Sequence, residues 1–299
     1  MSRAGGRYTI TLEPRSIWTA TIAVSLHASR APSRPRASGV VSLSERRASW
    51  LKAFPTLHST WRELDLFYRQ ALTDLASLVI VDEAVPDNLV LGDGLPWFMT
   101  LFGRDALLTA LMLLPFDRTI ARGVLRTLAR HQGTKDDPAS EEQPGKIPHE
   151  LRAGTAAAHR GRGVYYGTID ATPLFVILAG EAHRLPWPDI EALIPTIRAA
   201  VGWMQEGADA DGFLEYGESA HGLRNQGWKD SWNGIQYADG GLPRGSIALA
   251  EVQICVPNLA RGATLFDEAG EHDEAETSRG RANAMAERFR RDYWMEEAD

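Results

Sequence analysis

The chain has 299 residues, 44% hydrophobic and 24% charged, enough to bury a large core as one big domain or two ordinary ones. Its net charge of −7 argues against a general nucleic-acid binder, and its single cysteine, Cys255, excludes an internal disulfide and a cysteine-based zinc site. No apolar run reaches the roughly 18 to 20 residues that span a bilayer, so the expectation is a cytoplasmic protein with neither membrane nor nucleic acid as partner.

Charge is uneven along the chain. Residues 1–52 carry nine basic and two acidic side chains, read as a solvated irregular segment. Residues 8–12 and 17–26 alternate threonine with apolar side chains around "EPRS", which predicts a strand pair with a turn between. The stretch "SIWTATIAVSLHAS" has the look of a signal peptide, but its alternation and the strand before it favour β-structure. Two strands do not make a stable sheet alone. Residues 1–28 therefore read as the remnant of an N-terminal β-domain, and 29–56, with "ASRAPSRPRASG", as a linker.

From residue 59 the period is helical. Trp61, Leu64, Tyr68, Ala71, Leu75 and Leu78 form one apolar stripe. A second helix is predicted over 104–114, stopped by Pro115. Asp117 is the expected N-cap of a third, which runs to His131. A fourth covers 172–182 with Pro173 in its first turn, and a fifth 188–206. A sixth, over 246–266, is apolar nearly all round. A seventh covers 271–294, with Met285, Phe289 and Tyr293 on one side. Helices buried all round alternating with one-sided ones suggest two concentric layers, a helical toroid. The sixth reads as inner, the third and seventh as outer. Two long non-helical stretches, 133–169 and 207–245, carry aromatics, glycines and charges, which favours ordered loops that build a site.

The chemistry concentrates in those loops and at helix entrances. In "LPWFMTLFGRD", Trp97 and Phe98 precede a helix that opens with Arg104 and Asp105. An aspartate there suits the helix dipole, and the Arg-Asp pair also offers donors and acceptors together, as a sugar ring requires. "DADGFLEY" lacks the ligand spacing of a calcium loop, so Asp209 and Asp211 read as an ordinary turn. "IPHEL" has His149 and Glu150 but no second histidine for zinc. No phosphate loop, nucleophile elbow or dinucleotide fingerprint is present. Carboxylates, aromatics and hydroxyl-binding groups remain, an inventory suited to glycoside hydrolysis without metal or cofactor. "NQGWKDSW" places Asp230 between Trp228 and Trp232, whose faces suit a sugar.

"GLPWFMTLFGRDALLTALMLLPF", "ARGVLRTLARHQGTKDDPASEEQPGKIPHELRAG", "YYGTIDATPLFVIL" and "GLRNQGWKDSWNGI" together resemble the bacterial glycogen-debranching-type proteins, the amylo-α-1,6-glucosidase family. The resemblance runs from about Leu95 to Glu251. It implies an (α/α)6 toroid of the six-hairpin glycosidase type over 57–299, mainly α, after a β-sandwich remnant, and inverting cleavage of α-glucosidic bonds. It implies that Arg104 and Asp105 grip the terminal glucose and that Asp230 is the general acid. Trp97, Phe98, His149, Glu150, Asp170, Asn225, Gln226, Trp228, Lys229, Trp232 and Glu251 would line the substrate pocket.

A general acid must hold its proton near neutral pH, above the usual aspartate value of about 3.9. Flanking tryptophans are the expected cause, with Lys229 turned away or bonded to substrate. The resemblance calls for twelve helices, against seven read here, and puts the water-activating carboxylate in a late barrel loop beyond residue 299. The chain is therefore expected to be a fragment, with exposed inner helices that favour self-association. The alternatives are a carbohydrate-binding remnant without catalysis, or the same fold acting on another sugar (trehalase-, rhamnosidase- or mannosylglycerate-type).

Overall fold

The computed structural model describes residues 9–19, 42–82, 85, 88–152, 163–185, 187, 190–208, 212–217, 219, 222–255 and 259–296. They belong to two units, Met1–Val40 and Val41–Asp299. In the first unit the turn expected at "EPRS" forms. Ser16 donates its amide to the Glu13 carbonyl at 3.0 Å, and Arg15 takes a φ of 69°. Neither 9–12 nor 17–19 lies in a strand, and every residue of 9–19 is exposed. A strand pair needs a buried face to repay its ordering, and these residues bury none. The remainder of the two expected strands, residue 8 and 20–26, lies outside the described residues.

The second unit is mainly helical with few strands. It opens on α1 (Leu43–Leu51), inside the segment read as irregular. Ser42 accepts from the Glu45 amide and Glu45 reaches back to the Ser42 amide, a reciprocal cap that starts the helix. Arg47 ties α1 to the end of α2 (Arg62–Leu78), donating to the Ser77 and Val79 carbonyls at 2.9 and 2.8 Å. An antiparallel pair follows, β1 (Val79–Val81) against β2 (Leu89–Leu91), with Ile80 opposite Val90. Neither strand was expected. Three apolar residues in a row carry no period that separates a buried strand from a helix end.

A second small sheet joins β3 (Leu101–Phe102), β4 (Glu150–Leu151) and β5 (Val164–Tyr165), with Phe102 opposite Glu150 and Glu150 opposite Tyr165. This sheet holds "IPHEL" against the entrance of α3 (Gly103–Leu113). Gly103 donates to the His149 carbonyl at 2.8 Å, and a Cβ there would lie 2.1 Å from the Pro148 oxygen, so only glycine permits the approach.

α4 (Thr119–Arg130) starts with Arg118, not Asp117, at its cap position, and no side chain caps it. Asp117 is committed elsewhere: its buried carboxylate accepts from Trp50 Nε1 and from Thr119 Oγ1, each at 2.8 Å. A tertiary hydrogen bond has displaced the local cap. Trp50→Phe keeps the ring packing and removes that donor, so denaturant unfolding should show a loss of about 1–2 kcal/mol; an unchanged midpoint would show the bond to be idle.

α5 (Ala171–His183) is the most enclosed element, with 11 of its 13 residues buried. It packs against α3, α4, α6 (Ile194–Glu206), α7 (Ala250–Cys255) and α8 (Leu259–Glu268). The most enclosed helix is therefore the fourth predicted one, not the sixth. Of the sixth, the described residues hold α7 and α8, and 256–258 lie outside them. α8 exposes Thr264 and Glu268 and buries Leu265 and Phe266, so it is one-sided. The fifth predicted helix begins as a 3₁₀ turn, Ile190–Leu193. α9 (His272–Asp292) packs along α8 and is buried only at Ala275, Ser278, Ala282 and Met285. One continuous core runs from Trp50 to Met285. Both long loops contain no helix among the described residues. No described helix is long and apolar enough to cross a membrane.

Candidate functional site

The entrances of α3 and α5 and the loop before α7 meet at one side chain. Arg104, 7% exposed in the first turn of α3, is the hub. Its Nη1 donates to Asp170 Oδ2 at 3.2 Å and to the Gly227 carbonyl at 2.7 Å, Nη2 lies 3.5 Å from Asp230 Oδ2, and Nε lies 3.6 Å from Asp105 Oδ2. A planar guanidinium with five fixed donors can serve several acceptors at once, which a lysine cannot. Three segments far apart in sequence are tied by one cation.

Asp170, at the α5 entrance, is 4% exposed. Burial raises its carboxyl above the usual aspartate range, against the opposing pull of Arg104 and the Thr168 hydroxyl. Thr168 hydrogen-bonds Asp170 and also donates to the Gln226 carbonyl at 3.1 Å; the Ile169 amide reaches the same carbonyl at 3.0 Å. Segment 168–170 and segment 225–227 are thus stitched side by side. Arg104 itself is held above its ordinary value: burial opposes, but Asp170, Asp105 and Asp230 outweigh it.

Asp93, an exposed residue that the sequence did not single out, is near enough to feel the same charges. Burial raises its carboxyl first, then the negative charge of Asp105 and of Asp230, with Arg104 opposing. Its only signal was its place in "GDGLPWF". Thr168, likewise missed, is legible only from the bonds it makes.

The other expected residues fall in different surroundings. Asn225 is buried and closes its own loop, donating Nδ2 to the Ser231 carbonyl at 2.5 Å. Gln226 is buried and donates Nε2 to Glu141 Oε2 at 3.1 Å. Glu251, on α7, backs the loop: a Cβ on Gly227 would lie 2.9 Å from its Oε1. Buried His149 packs edge-on to Phe102 and Tyr165, with ring centroids at 5.5 and 5.8 Å. Buried Glu150 pairs with Arg152, which donates to the Trp97 carbonyl at 3.1 Å. Trp97 and Phe98 are exposed, as is Lys229. Trp228 and Trp232 are 63% and 68% exposed, while the Asp230 side chain is 41% exposed. The two rings therefore do not enclose Asp230; its neighbour is Arg104.

Cys255 is half-buried on α7, and burial pushes its thiol up to about 11, with Asp170 and Glu251 adding to the shift. It stays protonated and behaves as a small apolar filler. Among the described residues, no group of three His, Cys, Asp or Glu side chains is placed to hold a metal ion.

Two further polar residues went unread in the sequence. Glu141 sits in the left-handed region at φ 58° and accepts from the Tyr165 hydroxyl at 3.2 Å. Lys146 is buried, its Nζ 5.5 Å from the centre of the Trp203 ring. Burial lowers its ammonium from 10.5 to about 8, with Glu141 opposing. Between those values the unfolded chain binds more protons than the folded one, so stability rises with pH across the window. Lys146→Met removes this slope, so from pH 7 to about 10.5 the wild-type urea midpoint should rise relative to that of the variant. Parallel curves would contradict it.

No family model matches this chain, and no curated protein matches it.

Proposed function

We propose that the chain is a glycosidase domain. The particular reading is an amylo-α-1,6-glucosidase-like hydrolase that inverts configuration at α-glucosidic branch bonds of glycogen or oligosaccharides, with Asp230 as the general acid. One observation carries this reading. The motifs behind the resemblance, "FGRD", "TID" and "NQGWKD", converge on Arg104 through Asp105, Asp170, Gly227 and Asp230.

In this reading Arg104 has two tasks. It holds Asp170 and the Gly227 carbonyl as a fixed wall, and it orients Asp230 at the open side of that wall. Asp230 is the group left accessible to a glycosidic oxygen; Asp170 is walled in. Asp105 and Asp93 would offer carboxyl oxygens to sugar hydroxyls. Trp228 and Trp232 would offer exposed faces on which further sugar units stack. The helices would form part of an (α/α)6 toroid with these loops at one end.

The test pairs calorimetry with product analysis, using isomaltose, maltotriose and a limit dextrin. Binding is the expected result, and any turnover should give β-glucose as the first anomer seen by proton NMR. Binding without turnover assigns a carbohydrate-binding role only. Neither binding nor turnover overturns the reading.

A further inference from the structure

α6 and α9 both pack on α8 but barely on each other, and a groove of about 320 Å3 remains between them. Val201, Met204 and Gln205 of α6 form one wall, and Arg281, Met285 and Arg288 of α9 form the other. Arg104, Asp170 and Asp230 do not line it. We propose that this groove is a second binding site, for a small amphiphilic carboxylate of the size of octanoate, its unbranched apolar tail between the helices and its anionic head on Arg288.

Shape sets the tail. Val201, Met204 and Met285 give the groove an apolar floor, and the two thioethers can adapt to a chain laid against them. Ser278, Arg281, Met285 and Arg288 are spaced by three and four, so they share one face of α9. From Ser278 to Arg288 that face runs about 15 Å, so the groove is about 20 Å2 in section, one acyl chain wide. At roughly the 30 Å3 that a water takes up in the liquid, it holds about ten heavy atoms, the number in octanoate.

Charge sets the head. Among the described residues that line the groove there are two arginines and no carboxylate. Within the described residues neither Arg281 nor Arg288 has a hydrogen bond or an ion pair. Asp292 feels the charge of Arg288 but is held by Arg291, which donates to it at 2.6 and 2.8 Å. Arg288 is half-buried on the turn that closes one end of the groove. Gly212 in that turn takes a φ of 81°, and a Cβ there would lie 2.4 Å from Arg288 Nη1. A planar guanidinium with unused donors fits a carboxylate through two parallel bonds. A cationic head would meet both arginines and no counter-charge.

The six methionines make the test direct. Met204 and Met285 lie in the groove, while Met112 and Met295, 72% and 73% exposed, lie outside it. With carbon-13 in the methionine methyls, an octanoate titration followed by NMR should move Met204 and Met285 along one saturating curve and leave Met112 and Met295 in place. Octane-1,2-diol has the same number of heavy atoms and no charge, and it should bind about tenfold more weakly, for want of a charged head. Each buried methylene is worth about fourfold, so butyrate should bind too weakly to shift either methyl.

Arg288→Gln should lower octanoate affinity to that of the diol and leave diol binding unchanged, whereas Arg288→Lys, which keeps the charge, should retain most of the preference. The ratio of octanoate to diol on the wild type decides by itself if a variant fails to fold. A ratio near one overturns the proposal, as does unchanged octanoate affinity in a folded Arg288→Gln. Shifts spread equally over all the methionines would show a detergent effect and overturn it too. Asp209 and Asp211, between Ala208 and Gly212 in sequence, lie outside the described residues. Were either seated on Arg288, octanoate would leave Met204 and Met285 unmoved, and the proposal would fall.

Discussion

Arg104→Met is expected to destabilise the protein by about 3–5 kcal/mol, the cost of leaving a buried charge without its partner. Methionine keeps most of the side-chain volume, so the loss would not come from a cavity. It would come from Asp170, which is 4% exposed and loses the cation 3.2 Å away. The Gly227 carbonyl loses its 2.7 Å donor at the same time. Asp170 has one escape, to take up a proton. Its carboxyl is already raised by burial, with Arg104 holding it back, so removing Arg104 moves it further up. The folded variant then binds more protons than the unfolded chain, and the destabilisation should shrink as pH falls. Asp170→Asn in the Arg104→Met background should recover part of the loss. Urea unfolding of the three proteins at two pH values checks the sequence of effects. A wild-type midpoint for Arg104→Met would show that the cluster is held from elsewhere. Arg104→Lys is no conservative change here, since a single ammonium reaches one or two of the four acceptors.

The legible parts of the fold were those where period and chemistry agree. The stripe from Leu64 to Leu78 appears as α2, and the arrest at Pro115 falls two residues after α3 ends at Leu113. Legibility failed where tertiary contacts outrank local signals. Asp117 looked like a cap and serves Trp50, 67 residues away. The apolar run 246–266 looked buried all round, yet α8 within it is one-sided, whereas α5, with fewer residues, is the enclosed one. Ser42 and Glu45 spell a capping box in the sequence, set directly after a stretch rich in Ser, Pro and Arg that carries no period.

The site divides in the same way. Arg104, Asp105, Asp170 and Asp230 were read as one constellation and are joined through Arg104. The expected cause of a desolvated Asp230 fared differently: Trp228 and Trp232, its neighbours in sequence, are exposed. A tryptophan beside a carboxylate in sequence says nothing about which of the two turns inward. Glu141 and Lys146 carried no signal at all, because their interest lies in an unpartnered oxygen, a positive φ and a buried ammonium.

Asp230→Asn separates catalysis from architecture. The Asp230 side chain is 41% exposed and its contact with Arg104 is long, at 3.5 Å. Solvent screens such a pair, so its removal should cost no more than about 1 kcal/mol. Asparagine keeps the shape and an acceptor oxygen for Arg104, so the wall made by Asp170 and Gly227 stays in place. What disappears is the ability to deliver an acidic proton. If Asp230 protonates the departing glycosidic oxygen, turnover on isomaltose should fall about 10²- to 10⁴-fold, with calorimetric affinity nearly unchanged. A substrate whose leaving group departs without a proton, such as a glucosyl fluoride, should recover most of the lost rate, because the acid is then superfluous. A merely structural Asp230 would slow both substrates alike. Asp170→Asn is the internal contrast: it removes a buried partner of Arg104, so it should lower stability and act equally on both leaving groups. The two aspartates share one cation, and leaving-group dependence is the property that tells them apart.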